Sequence, residues 1–281
     1  MTRVVFWASM TLAALVLGAL LVPIVAPGDP LAIGDIAAAR LLPPMRRDPA
    51  GHLHLLGTDG FGRDIFARMM LAGRISLTIG IAAAVLAVTL GSAIGAAAGW
   101  RGGLVDGVAM AMTDALLSVP RLMLLLLCAA LWAPGTATVV IVLVATGWMG
   151  VARLVRGEVL GVRRRQYVEA AQALGARSGR VLWRHVMPNA LGPAIVALTL
   201  GVGNAILLES GLSFLGLGVQ PPRPSWGNMI AGGREVIVIA PWVAIAPGIA
   251  LIVTVVACTL LGDAVRDRVA GEASATTLGE R

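Results

Sequence analysis

Few side chains in this chain are of a type that does chemistry, and they are widely spaced. His52 and His54 form a His-x-His pair in a polar stretch; without further ligands at metal-site spacing they are read as solvated loop residues, and no metal is expected. The run GTDGFGRD, Gly57 to Asp64, holds glycines and acids but lacks the alternating ligands and closing bidentate Glu of a calcium loop, so it is read as structural. No Ser-His-Asp or zinc-protease pattern appears within the apolar stretches, which argues against a membrane-embedded hydrolase. A phosphate-binding loop of the Walker A type needs a lysine to reach the terminal phosphates, and all 22 basic residues here are arginine. Any ATP hydrolysis must therefore come from another polypeptide, and the chain is expected to carry no catalytic residue and no cofactor of its own.

Two carboxylates remain, and both lie in apolar surroundings. Acidic residues inside membrane spans are usually buried, paired and functional, so Glu209 and Asp114 are candidates for a pathway or gate. Arg121, seven residues after Asp114, falls on roughly the same face of a continuous helix and is its candidate partner. Cys128 and Cys258 are lone residues in apolar runs and read as packed thiols.

The elements that must position these groups are membrane helices. With 58% hydrophobic and 13% charged residues, the chain carries about half the charge of a soluble domain. A bilayer core asks for roughly 20 consecutive apolar residues per span. The windows Val4 to Gly28, Ile75 to Trp100, Leu122 to Ala152, His185 to Leu208 and Val236 to Gly262 meet that demand. The third is too long for one span and is broken by WAPGT at Trp132 to Thr136, so it holds the end of one helix, beginning near Val108 and carrying Asp114 and Pro120, and the start of the next. The expectation is an all-α integral membrane protein of six spans. The first apolar run exceeds a signal peptide's 7 to 15 residues and is read as an uncleaved helix.

Short cytoplasmic loops concentrate positive charge. The segment between spans four and five, with its flanks, holds Arg153, Arg156, Arg163, Arg164, Arg165, Arg177, Arg180 and Arg184, and so should face the cytoplasm together with both termini. Residues 29 to 74 then lie outside despite six arginines, because long loops obey the rule poorly. The net charge of +7 belongs to this topology, and nucleic acid is not an expected partner.

Within the arginine-rich segment, Tyr167 to Leu174 has helical composition with Val168, Ala171 and Leu174 on one side, and Gly175 stops it. Ser178 is placed to cap a second short helix with an apolar stripe of Val181, Leu182 and Val186, and Pro188 marks the start of the fifth span. Two short helices at an angle suit either packing on the bundle's own end or docking of a cytoplasmic partner. On the other side, Gly211, Gly216 and Gly218 precede Pro221, Pro222 and Pro224, through which no helix can continue. Irregular backbone at membrane depth is tolerated only against protein or a water-filled cavity, so a gate near the external mouth is one reading. An ordinary loop, with Trp226 and Trp242 anchored at the lipid interface, is the other.

Glu169, Ala170 and Ala171, followed by Gly175 and then HVMP ending at Pro188, resembles the EAA motif of ABC importer permeases. His54 to Leu77, Gly211 to Ile230, APWVAIAPG and LLGDAVRD resemble further signatures of the dipeptide, oligopeptide and nickel subfamily, specifically its C-type subunit. The family's usual Asn before LLGD is Thr259 here, and the customary Asp-Pro-Arg ending is absent. The resemblance implies a type I importer fold: residues 1–73 as first span plus external loop, 74–264 as permease domain with a coupling hairpin at about 163–188, and 265–281 as a cytoplasmic tail. It implies Glu169, Ala170, Ala171, Gly175 and Pro188 as the ATPase-coupling set; Glu209, Asp114, Gly216 and Gly218 are the pathway or gate candidates on their own chemistry. Expected partners are a second permease subunit, ABC ATPase subunits that bind ATP and Mg, an extracytoplasmic solute-binding protein and membrane lipid, in a bacterial inner membrane. The expected cargo is a di- or oligopeptide, with nickel, glutathione or another oligopeptide-like solute on the same architecture as the alternative. A secondary transporter would need paired intramembrane charges, and a scaffold would not need Glu169 or Gly175.

Overall fold

A computed structural model of the chain describes residues 2–25, 30–33 and 36–279. Ala26 to Gly28 of the first expected span, and Glu280 and Arg281 of the expected tail, lie outside the described residues. The elements run α1 (Thr2–Val25), α2 (Ile36–Ala39), β1 (Arg46–Arg47), β2 (Leu53–His54), α3 (Ile65–Arg101), α4 (Gly103–Leu117), α5 (Arg121–Ala130), α6 (Thr136–Arg163), α7 (Gln166–Ala173) and α8 (Ser178–Val181). A π-helical turn (Leu182–Val186) follows, then α9 (Met187–Ala190), α10 (Gly192–Phe214), α11 (Trp226–Arg234) and α12 (Trp242–Gly279). The strands form one short antiparallel pair, Arg46 opposite His54.

Among the described residues five helices, α1, α3, α6, α10 and α12, are long and apolar enough to cross a membrane. The sixth expected span differs from a continuous helix. It divides at Ser118 to Pro120 into α4 and α5, bent by 89°. Pro120 is the physical cause: it disfavours helical backbone at Val119 and has no N–H to give the preceding turn, so α5 restarts just after it.

The bundle is built around α3 and α6, which run parallel in backbone contact. Gly91, Gly95 and Gly99 recur every fourth residue and form a bare stripe along α3. A Cβ at Gly91 would lie 2.5 Å from the Trp148 carbonyl oxygen, one at Gly95 2.3 Å from that of Ala152, and one at Gly99 3.0 Å from that of Arg156. In a bilayer, where lipid tails are as apolar as leucine, such close approach supplies the packing that holds helices together. The same device brings α10 to α3 at Gly80, where a Cβ would sit 2.4 Å from Ile206, and α11 to α10 at Gly227, where it would sit 2.3 Å from the Ser210 carbonyl. Most of the apolar surface elsewhere is exposed, as lipid-facing helices require: Phe6, Trp7, Leu17 and Leu21 on α1, and Ile249, Ile252 and Val256 on α12.

Candidate functional site

At the end of the bundle where α6 gives way to α7, the short-helix hairpin sits on a valine-rich cushion. Val168, Val181 and Val186 are fully buried and pack with Ala96, Trp100, Val155, Val159 and Val162 from α3 and α6. Trp100 is the joint. Its indole Nε1 donates to Ser178 Oγ at 2.8 Å, Arg163 donates to its backbone carbonyl at 2.9 Å, and the Arg163 guanidinium lies 5.5 Å from its ring centre. Ser178 therefore does not cap α8 as its position suggests; the N-cap is Arg177, with no side-chain bond, and the serine hydroxyl is engaged by tryptophan instead.

The turn at Gly175 has a specific geometry. Ala176 N–H donates to the Ala171 carbonyl at 3.1 Å and Gly175 N–H to that of Gln172 at 3.0 Å, with Gly175 at φ +81°. That is a Schellman termination, which needs a left-handed residue just past the helix and so favours glycine. Val168 is buried and Ala171 half-buried as the spacing implies, but Leu174 is 88% exposed, because the turn carries it away from the bundle. Glu169, Ala170 and Gln172 are exposed on the outer face of α7, with Trp183 and Arg184 exposed on the π-helical turn. Pro188 lies in α9, one short element before the fifth span, which begins at Gly192 with Pro193 in its first turn.

At the opposite end, α10 stops by the same device. Gly216 has φ +78°, Leu217 N–H donates to Leu212 carbonyl at 2.9 Å, and Gly216 N–H to that of Ser213 at 3.1 Å. Gly218 folds back onto the helix so closely that a Cβ there would lie 2.1 Å from Ser213 Oγ. Glu209 is fully buried beneath this turn, accepting from Ser76 at 2.8 Å, Ser213 at 2.6 Å and, more weakly, Ser210 at 3.4 Å. It thereby ties α10 to α3. Ser213 Oγ also accepts from Val219 N–H at 3.1 Å, and Asn228 closes a capping box with Ser225 while its amide donates to Val219 and Arg223 carbonyls. The proline segment, with a cis Pro221-Pro222 bond, is thus pinned to α11.

Trp226 is no interfacial anchor: it is buried, donating to the Met69 carbonyl at 3.1 Å, with its ring against Gly73. Trp242 donates to the Thr58 carbonyl at 3.4 Å.

The polar loop before α3 is ordered by its acids. His54 is buried, with Nδ1 2.8 Å from Asp64, so it is not the solvated residue the sequence suggested; exposed His52 pairs with Asp48. Burial works to raise the Asp48 carboxyl, but hydrogen bonds from His52 and the nearness of His54 outweigh it and hold the group below its ordinary value. Asp64 caps α3 by accepting from Ala67 N–H at 2.8 Å.

Asp114 does not pair with Arg121. The bend at Pro120 turns the two apart, and Asp114 meets Arg153 of α6 while Asp106 meets Arg156. Arg121 lines a cavity of about 280 Å³ between α3, α6 and α10 instead. This cavity and the glycine stripe escaped the sequence reading; the four-residue spacing of Gly91, Gly95 and Gly99 was the signal for the second.

Residues 88–271 match the family described as the binding-protein-dependent transport system inner membrane component. The chain is 41% identical over 219 residues to the oligopeptide transport system permease protein OppC of Bacillus subtilis, covering 78% of this chain and 72% of that one. It is 40% identical over 252 residues to a putative peptide transport system permease protein of Brucella suis, covering 90% and 82%. Among solved structures it is similar to the inward-facing MetNI methionine ABC transporter, with TM-score 0.57 at 16% identity over 72% of this chain and 96% of that one. An amino acid ABC transporter gives TM-score 0.52 at 17% identity, covering 69% and 90%. At such identities the likeness is one of fold.

Proposed function

Since the chain belongs to the binding-protein-dependent transport inner membrane component family, we propose that it is the permease subunit of an ATP-driven importer for di- or oligopeptides. It forms half of a translocation pathway, completed by a second, similar permease subunit. A soluble binding protein delivers solute from outside, and separate ATPase subunits bind ATP and Mg and drive the cycle. Both termini and the α7–α8 hairpin face the cytoplasm of a bacterial inner membrane, following the arginine distribution.

One observation carries the coupling role: the hairpin buries its valines against α3 and α6 and leaves Glu169 and Ala170 uncovered. Glu169 supplies the polar contact to the ATPase, Ala170 and Ala171 the close-packed face, Gly175 the bend between the short helices, and Pro188 the turn into the fifth span. Closure of the ATPase dimer shifts the permease only by binding one conformation better than the other. Glu209, Gly216 and Gly218 act at the far end as the fixed frame of a gate, and Asp114 holds α4 against α6 through Arg153.

Glu169→Lys and Gly175→Asp should abolish association with the ATPase subunits and with it peptide uptake in proteoliposomes containing the full transporter. Normal uptake in both variants sinks the coupling role. Calorimetric titration of the partner binding protein with dipeptides, longer peptides, glutathione and nickel complexes tests the cargo, and tight peptide binding is expected.

A further inference from the structure

We propose that the cavity around Arg121 is a carboxylate-binding station on the translocation path, which takes the C-terminal carboxylate of the peptide as it passes; the identity of that solute rests on the function proposed above.

The position of the charge carries the inference. The cavity is lined by Ala83 and Ala87 of α3, Gly147 of α6, and Gly201 and Asn204 of α10, all near the midpoints of their spans. A Cβ on Gly147 would lie 3.4 Å from an Arg121 guanidinium nitrogen, so the cation reaches the middle of the bundle. An uncompensated charge at that depth is costly and persists where it meets a counter-charge or a water-filled passage. Asp106 and Asp114, by contrast, have counter-charges within the chain, Arg156 and Arg153 respectively. Arg121 has neither ion pair nor hydrogen bond among the described residues, and the Asn204 amide is equally unengaged and exposed. The other wall residues are apolar, from Gly201 and Ala83 to Leu143 and Leu200, so these two polar side chains stand on an otherwise apolar surface.

A planar guanidinium matches a carboxylate, which accepts two parallel N–H bonds, and an amide on the same cavity wall offers a further donor. The volume, about 280 Å³, is at the low end for a ligand pocket and suits a peptide terminus better than a whole oligopeptide.

Two measurements on the assembled transporter test this. In proteoliposomes, uptake of a dipeptide free acid is compared with that of its C-terminal amide, each corrected for its affinity for the binding protein. The wild type should favour the free acid, and Arg121→Gln should reduce that preference by about tenfold, with Arg121→Lys intermediate. Separately, modification of Arg121 by phenylglyoxal, read by mass spectrometry, should be slowed severalfold by the free acid or by N-acetylalanine, but not by their amides. An Arg121 that resists the reagent with no solute present, and is released by neutralising a carboxylate of the second permease subunit, overturns the proposal. So does an unchanged acid-to-amide preference in Arg121→Gln. If the wild type moves neither peptide while N-acetylalanine still protects Arg121, the peptide cargo fails and the carboxylate station stands.

Discussion

Replacing Gly175 by alanine isolates a single physical term. Nothing lies within 4 Å of where the new Cβ would be, so no atom must move to make room. The cost is the φ of +81°, which for an L-residue amounts to about 1–2 kcal/mol. This strain opposes the two hydrogen bonds that close α7, from Ala176 to Ala171 and from Gly175 to Gln172. Opening of that turn should therefore become about 5 to 30 times more frequent. Hydrogen exchange followed by mass spectrometry on the assembled permease reads the change directly in the amides of Gly175 and Ala176, while amides in α3 and α6 keep their protection. Asparagine tolerates left-handed backbone better than alanine, so Gly175→Asn should fall between wild type and Gly175→Ala. Exchange in Gly175→Ala within about twofold of wild type, or faster exchange in the asparagine variant, refutes the reasoning.

Other substitutions probe the frame. Gly95→Leu places a side chain where even a Cβ lies 2.3 Å from the Ala152 carbonyl, and should prevent stable folding, seen as loss of monodisperse protein in detergent. Trp100→Phe keeps an aromatic ring but removes the indole N–H that bonds Ser178; loss of that bond, about 1 kcal/mol, should speed exchange in the hairpin at least about fivefold, read by hydrogen exchange. Glu209→Ala strands the serine hydroxyls that converge on the carboxylate and should cost about 1–3 kcal/mol, seen as a lower melting temperature, with Glu209→Gln less severe.

The spans and the hairpin were legible because each rests on local chemistry: apolar length for the first, and a glycine after Leu174 for the second. The Arg121 assignment failed for a physical reason. Seven-residue spacing places two side chains on one face only if the helix is continuous, and Pro120 breaks it between them. Ser178 misled because capping propensity is local, whereas the Trp100 indole that claims its hydroxyl comes from 78 residues away. Burial of Glu209 under three serines, one of them on α3, likewise depends on helices brought together only by the fold.

The glycine stripe has a mechanical consequence. Two helices touching backbone to backbone over three successive contacts have no compressible layer of long side chains between them, so α3 and α6 behave as one stiff beam. The hairpin is bolted to one end of that beam at Trp100, and the frame around Glu209 and Ser76 is fixed to α3 toward the other. On the coupling role proposed above, a push on the hairpin would be carried along this seam to the Glu209 end, because bare backbone contact leaves little room for repacking to absorb it.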